Sequence, residues 1–188
     1  MHDGSYMKDV ATDICSFALI IRCARTQRQC TCMWVEKCQL ADNYRGEALG
    51  ALTGILLLRA ASGIDRTYRQ CGGHCDNKGV VIYCSKPRES CPDKQVQADV
   101  FMVIKKLLRE LPFNVSYHHV MGHLDKILRW DQLSEIQKLN VLCDSMAKKA
   151  LIHAIRMRIF IDRGFPFEDI TLECGGEKVS GSPTQEIR

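Results

Sequence analysis

The sequence predicts an α/β fold in which a mixed sheet, antiparallel in its first strands and parallel afterwards, carries helices on both faces. Two segments near the start, 14–23 and 29–40, have the length and composition of strands and are joined by a short polar stretch. After them, helix-like and strand-like segments alternate along the chain. Alternation that follows an antiparallel start is typical of a mixed sheet covered by helices.

The first helix is predicted from Tyr44 to Ala61, where strong helix formers replace the strand pattern. Asp42 or Asn43 can cap its start, and Gly63 lies just past its expected end. The segment is apolar nearly all round. We therefore expect this helix to be buried along its whole length.

The second half of the chain repeats the alternation, with helices and strands separated by polar loops. In order, we predict a short strand that reaches Asp76, a short helix or turn at 77–86, a loop at 85–94, a helix at about 95–110, a strand at 113–122 and a helix at about 131–159. On the helix at 95–110, Val100, Phe101, Ile104, Leu107 and Leu108 share an apolar face, with Lys105, Lys106 and Arg109 outside it. The last helix places Leu139, Leu142, Met146 and Ala150 on one side.

The 188 residues suit one domain, which we place at 1–160, followed by a loosely ordered tail at 161–188. A content of 46% hydrophobic and 26% charged residues is typical of a globular protein. The longest apolar run is shorter than a membrane span, and the start shows no signal-peptide pattern. We therefore expect an intracellular protein without a membrane partner.

Eleven cysteines are spread through apolar segments rather than around short loops, which favours reduced, buried thiols. One group of cysteines with a histidine is also compatible with a zinc site. Cys71, His74 and Cys75 could bind zinc together with Cys84 or Cys91, although the paired Cys-x2-Cys spacing of structural zinc sites is missing.

The formal net charge of +4 is mild, and its basic excess lies in the second half of the chain. A polyanionic partner and a set of solvated helix faces both explain this excess.

Four acidic residues occupy positions that suggest a shared site. Asp3 lies on the first strand, Asp76 ends a strand, and Glu47 and Asp144 lie on apolar helices. Buried carboxylates are tolerated together chiefly when they share a cation. Hard oxygen ligands in this number indicate magnesium or manganese rather than zinc.

The segments that carry these acids resemble the type 1 ribonuclease H family over about residues 3 to 155. The matching pieces, in the order of the family, are "DGS", "NYRGEALGAL", "CDNKGV", "HHVMGH" and "LNVLCDSMAKKAL". The last two pieces, with Trp130 between them, are most similar to the ribonuclease H portions attached to reverse transcriptases of mobile elements. The resemblance implies a ribonuclease H-like mixed sheet and hydrolysis of the RNA strand of RNA/DNA hybrids.

Carried over by position, the resemblance implies that Asp3, Glu47, Asp76 and Asp144 hold two Mg²⁺ or Mn²⁺ ions. His123 matches the mobile histidine of the family, which helps move a proton or release product. A plain exposed loop residue is the alternative for His123.

Nucleic-acid contacts are implied as well. Asn43 matches a position that touches the minor groove of the hybrid, and we also expect contacts from Ser5 and Asn77. Lys105 and Lys106 either line the duplex or form a solvated helix face. An upstream reverse transcriptase domain is a further expected partner.

The chain departs from the family at its start, where only two residues precede Asp3. We therefore expect a shortened first strand, and the chain is interpreted as the end of a longer reading frame. A non-catalytic remnant that binds nucleic acid or a polymerase domain is the main alternative. A DNA-cutting nuclease or transposase on the same fold is another, and the Gly-His loop "VMGH" argues against it.

Overall fold

The computed structural model describes residues 1–39, 41–64, 67, 69–86 and 96–159, and the backbone of three two-residue strands beyond them. The main strands are β1 (His2–Tyr6), β2 (Ile14–Arg22), β3 (Gln29–Lys37), β4 (Gln70–Cys75) and β5 (Asn114–His119). The helices are α1 (Asn43–Ile64), α2 (Lys78–Ser85), α3 (Ala98–Glu110) and α4 (Glu135–Met157). The short strands are β6 (Ile161–Asp162), β7 (Glu173–Cys174) and β8 (Glu177–Lys178), and single 3-10 turns lie at Leu124–Lys126 and Trp130–Gln132.

The sheet has the predicted antiparallel start and a parallel continuation. β2 pairs antiparallel with both β1 and β3, and Asp3 lies opposite Ala18. β4 and β5 form a separate parallel pair. β1 contacts β4, but the described backbone has no hydrogen-bonded ladder between them. The sheet is therefore built in two parts that meet at β1 and β4.

Helices cover both faces of the sheet, as the alternation of β2 shows. Cys15 and Phe17 point into a core formed with α1, α2 and α3. Ala18 and Ile20 point into a second core formed with α4. Ser16 lies on the α4 side, where its hydroxyl donates to the carbonyl of Ala147 at 2.8 Å. The predicted fold class is confirmed, because side chains of one strand reach helices on opposite sides.

Helix α1 packs directly on the backbone of β1. A Cβ at Gly4 would lie 2.5 Å from the amide nitrogen of Glu47, and one at Gly46 would lie 2.5 Å from the carbonyl of Ser16. Only glycine permits so close an approach of two backbones. This contact holds the start of α1, including Glu47, against β1.

The expectation of a fully buried α1 is wrong for its second half. Most residues from Arg45 to Ile55 are buried, whereas Leu57 is 37% exposed and Ile64 is 90% exposed. It also continues through Gly63, which was predicted to lie beyond its end. By length and composition alone α1 is apolar enough to cross a membrane, but its first half is the central helix of the core.

The predicted faces of the later helices need two corrections. Lys105 is 4% exposed on α3, with its ammonium 5.4 Å from the ring centre of Tyr83, so it lies within the packed side rather than outside it. On α4, Leu142 is 41% exposed, and the buried face runs instead through Leu139, Asn140, Cys143, Ala147, Leu151 and Ala154. Helix α4 also begins four residues later than expected, because Ser134 caps its first turn by accepting from the amide of Gln137.

A buried arginine joins three elements at the start of α1. Arg45 is fully buried; it donates to Glu36 on β3 at 2.9 Å and to Asp99 on α3 at 2.9 Å. Its backbone amide donates to Asp42 at 2.6 Å, which identifies Asp42 as the cap of the first turn. Because a buried charge needs paired partners, this cluster fixes the end of the helix that carries Glu47.

Two predicted segments lie mostly outside the described residues. These are the loop at 85–94, described only to residue 86, and the tail at 161–188, of which only the short strands are described. The division into a domain at 1–160 and a tail stays a prediction.

Candidate active site

Three of the four predicted acids converge at the junction of the two sheet parts. Asp3 comes from the middle of β1, Glu47 from the first turns of α1, and Asp76 from the residue after β4. One carboxylate oxygen from each lies within 4.8 Å of the others. Asp3 and Glu47 are 4% and 1% exposed, and Asp76 is partly exposed. The group is therefore a buried acidic pocket that opens at Asp76.

The pocket does not accommodate three full negative charges without a compensating cation. Burial, followed by the charge of Glu47, raises the pKa of Asp3 well above its ordinary value, and Asp76 and Asp144 add to the shift. Burial also raises the pKa of Glu47, against the hydrogen bond from Asp3 that lowers it. The buried carboxylates of Asp3 and Glu47 therefore disfavour each other's negative charge, and a bound cation would relieve that repulsion.

Asp144 lies beside this group without joining it. It is carried by the middle of α4, and its side chain is 21% exposed. Its carboxylate accepts from the ammonium of Lys148, one turn further along the helix, at 2.6 Å. Its charge still reaches Asp3 and contributes to the raised pKa of that residue. The structure thus brings three acids into contact and places the fourth nearby in an ion pair.

Asn140 connects α4 to the pocket and was not singled out in the sequence. It is 2% exposed, and its side-chain amide lies 3.4 Å from Asp3 as a donor. Asn140 precedes Asp144 by one helical turn, so both polar side chains lie toward β1. The signal available in the sequence was the polar side chain of Asn140 at a position on the core-facing side of α4.

The Gly-His loop after β5 is attached to Asp76. A Cβ at Gly122 would collide with the carboxylate of Asp76, so this glycine allows the loop to pack against the acid. Upstream, the ring of His119 lies 3.0 Å from the carbonyl of Asp76, and the amide of Val120 donates to the carbonyl of Cys75 at 2.9 Å. His123 follows directly, exposed and in the left-handed region with φ 55°.

The residues expected to contact nucleic acid are distributed unevenly. Asn43, at the start of α1, and Lys106, on α3, are exposed. Ser5 is 4% exposed and Lys105 is buried, so neither presents its side chain at the surface. The side-chain oxygen of Asn77 caps α2 by accepting from the amides of Gly79 and Val80 at 3.0 and 3.3 Å. The surface positions that remain are Asn43 and Lys106.

The zinc arrangement considered for β4 does not form. Alternate residues of a strand point to opposite faces, and Cys71 and Cys75 pack into the core beneath α1 and α2. His74 points the other way, where its ring lies 5.3 Å from that of His118. Cys84 is buried in α2 and belongs to no group of adjacent metal ligands among the described residues; Cys91 lies outside them.

Known proteins resemble this chain in structure rather than in sequence. No family model matches the sequence, and no curated protein matches it at a significant level. The N-terminal RNase H domain of Rv2228c from Mycobacterium tuberculosis matches with a TM-score of 0.57 at 14% identity, covering 84% of this chain and 95% of that one. RNase H1 from Halobacterium salinarum NRC-1 matches with a TM-score of 0.50 at 13% identity, covering 81% and 96%.

The RNase H domain of PFV matches with a TM-score of 0.54 at 13% identity, covering 81% of this chain and 92% of that one. At such low identity the shared property is the fold. Three RNase H structures superpose on 81% to 84% of the chain. The chain therefore has a ribonuclease H-like α/β fold.

Proposed function

We propose that this protein is a metal-dependent ribonuclease H that hydrolyses the RNA strand of RNA/DNA hybrids and derives from a retroelement reverse transcriptase. One observation carries the proposal. Asp3, Glu47 and Asp76 come from three separate elements, and their carboxylate oxygens still lie within 4.8 Å of one another. On a ribonuclease H-like fold, such a group is best explained as a nuclease site.

The donor set suits hard divalent cations. The three side chains offer only carboxylate oxygens, which Mg²⁺ and Mn²⁺ prefer. Burial raises the pKa values of Asp3 and Glu47, which supports binding of a cation beside them. Two bound ions would supply an activated water and stabilise charge at the leaving oxygen. Asp144 is the fourth candidate ligand, and it would join when Lys148 releases its carboxylate.

The remaining residues have roles in positioning and proton transfer. Gly122 packs against the carboxylate of Asp76 from the loop side, and the next residue of the loop, His123, is exposed to solvent. An exposed imidazole can accept or donate a proton near neutral pH and assist product release. Asn43 and Lys106 are the surface positions that we propose for the hybrid, whose phosphates supply most of the affinity.

The test is cleavage of an end-labelled RNA/DNA hybrid in Mg²⁺ or Mn²⁺, with duplex DNA and duplex RNA as competing substrates. Asp76→Asn and Glu47→Gln should each lower cleavage by at least about a hundredfold, because they remove a charged ligand. The matched controls are Asp9→Asn and Glu110→Gln, which change exposed acids outside the pocket. Equal cleavage by the wild type and both pocket variants would reject the proposal, and preferential cleavage of duplex DNA would reassign the substrate.

A non-catalytic protein that binds nucleic acid or a polymerase domain is the second candidate. Two observations favour it: Lys148 holds the carboxylate of Asp144, and β1 and β4 lack a connecting ladder. This candidate predicts binding of the hybrid without turnover and no rise in melting temperature on adding Mg²⁺. The cleavage assay, run with a thermal melt in Mg²⁺ and in chelator, separates the two functions.

A further inference from the structure

His2 is a buried histidine whose ring makes no hydrogen bond of normal geometry to the part of the chain that the structure describes. It is 2% exposed on β1, and both of its ring nitrogens are buried; the backbone of Glu47 is near enough to influence the ring but does not satisfy it. The ring fits because position 50 is glycine; a Cβ there would lie 2.9 Å from the Cβ of His2. Buried polar groups almost always have a partner, and an orphaned one is destabilising. A ligand for this imidazole would remove that penalty.

Glu47 and Cys75 place possible ligand atoms near this ring. The Nδ1 of His2 lies 4.0 Å from the Oε2 of Glu47, and the thiol of Cys75 donates to the same oxygen at 3.2 Å. The three ligand atoms lie within 4.8 Å of one another, and all three residues are buried. They come from β1, α1 and β4, so this second group faces the same junction as the acids and shares Glu47 with them.

The donor types differ from those of the acidic pocket. One imidazole nitrogen, one sulfur and one carboxylate oxygen form a set typical of zinc, whereas magnesium takes oxygen ligands. A tetrahedral zinc ion holds such atoms roughly 3.3 to 3.6 Å apart. The sulfur–oxygen distance already approaches this value, and the nitrogen–oxygen distance of 4.0 Å needs only a small closure.

We propose that His2, Glu47 and Cys75 form a binding site for a zinc-class ion, Zn²⁺ or its analogue Co²⁺, adjacent to the acidic pocket. On binding, the Cys75 thiol releases its proton to solvent, its hydrogen bond to Glu47 is replaced by two metal–ligand bonds, and His2 gains the partner that it lacks. The zinc proposal can be tested separately from nuclease activity, because metal binding is measured without nucleic acid.

The test is Co²⁺ titration of chelator-treated protein in saturating Mg²⁺, followed by absorption spectroscopy and by elemental analysis of the bound metal. A thiolate–Co²⁺ charge-transfer band with one Co²⁺ per chain is the expected result for the wild type. Cys75→Ser should abolish the band, and His2→Phe should weaken Co²⁺ binding by at least about tenfold. Cys15→Ala, which removes a buried thiol outside the site, should leave the spectrum unchanged.

Two further measurements keep the result interpretable. Circular dichroism of each variant shows whether it is folded, and Cys75→Ser preserves the shape and the hydrogen-bonding group of the side chain. Asp76→Asn removes a carboxylate of the acidic pocket but none of the three proposed zinc ligands, so it should keep the thiolate band. A wild-type spectrum without thiolate character, or a band that survives Cys75→Ser, would overturn the zinc proposal while leaving the nuclease proposal intact. Absence of hybrid cleavage together with a normal thiolate band would overturn the nuclease proposal while leaving the zinc proposal intact.

Discussion

Replacing Asp3 by asparagine should stabilise the metal-free protein while removing its proposed activity. Asp3 is 4% exposed and faces the charges of Glu47, Asp76 and Asp144, which, after burial, raise its pKa. A carboxyl whose pKa is raised on folding contributes most stability below its unfolded pKa, and that contribution is lost as the pH rises through the folded value. Asparagine does not titrate, so the variant escapes the loss.

The size of the effect follows from the pKa of Asp3. Its ordinary pKa is 3.8, which is about three units below pH 7. For a carboxyl that stays protonated in the folded protein, each of these pH units lowers the free energy of unfolding by about 1.4 kcal/mol. The upper limit is therefore about 4 kcal/mol. Relaxation of the pocket and entry of water reduce it, and we expect a gain of about 2 kcal/mol, or roughly 4 to 8 °C in melting temperature for a chain of this length.

Urea denaturation in chelator at a series of pH values between 4 and 8 measures this difference. The gain of Asp3→Asn over the wild type should be small at the acid end and should grow steadily with pH. Comparing the two proteins cancels the opposite contribution of His2, whose lowered pKa makes the fold less stable in acid. Asp9→Asn, at an exposed position, should show no such trend. A variant less stable than the wild type at pH 7, or a gain that does not change with pH, would refute the reasoning.

Three other experiments test separate features. Arg45→Met should lower the free energy of unfolding by about 3 to 5 kcal/mol in urea denaturation, because it leaves buried carboxylates without a paired cation. As the control, Arg59→Met breaks an exposed ion pair and should change that free energy by less than about 1 kcal/mol. Gly122→Ala should reduce hybrid cleavage at least about tenfold with little change in melting temperature, since its methyl group displaces the carboxylate of Asp76; unchanged cleavage would contradict this packing argument. Zn²⁺ added to a cleavage reaction in Mg²⁺ should inhibit cleavage, because it binds Glu47, which both groups share. Cys75→Ser should relieve this inhibition. Equal inhibition of the wild type and the variant would show that Zn²⁺ binds elsewhere.

The acidic pocket follows from local sequence features. Asp3 lies on a strand, Asp76 ends one, and Glu47 lies near a helix start, which are positions where sites gather in α/β folds. The pairing of Asp144 with Lys148 has the spacing of helical neighbours, but the sequence cannot show whether a carboxylate binds its neighbour or a metal. That choice depends on the distance between α4 and β1.

Features that arise from packing between distant segments were not predictable. His2 is buried because Gly50 leaves room for its ring, and no periodicity relates the two positions. Lys105 is buried because its aliphatic stem can lie along the core while its ammonium reaches the ring of Tyr83. The second half of α1 shows the reverse case, because apolar residues such as Leu57 and Ile64 are exposed there. The 22-residue helix is much longer than the five-residue β1 on which its start packs.

The missing hydrogen-bonded ladder between β1 and β4 affects how far the acidic pocket can adjust to the size of a bound cation. Asp3 and Asp76 stand on opposite sides of this break, and side-chain packing rather than a ladder sets the distance between them. In a continuous sheet that spacing would be fixed by the strand separation of about 4.8 Å. Here the gap can widen or narrow without loss of backbone hydrogen bonds. Cations of different ionic radius should therefore bind with more similar affinities than they would in a pocket built on an unbroken sheet.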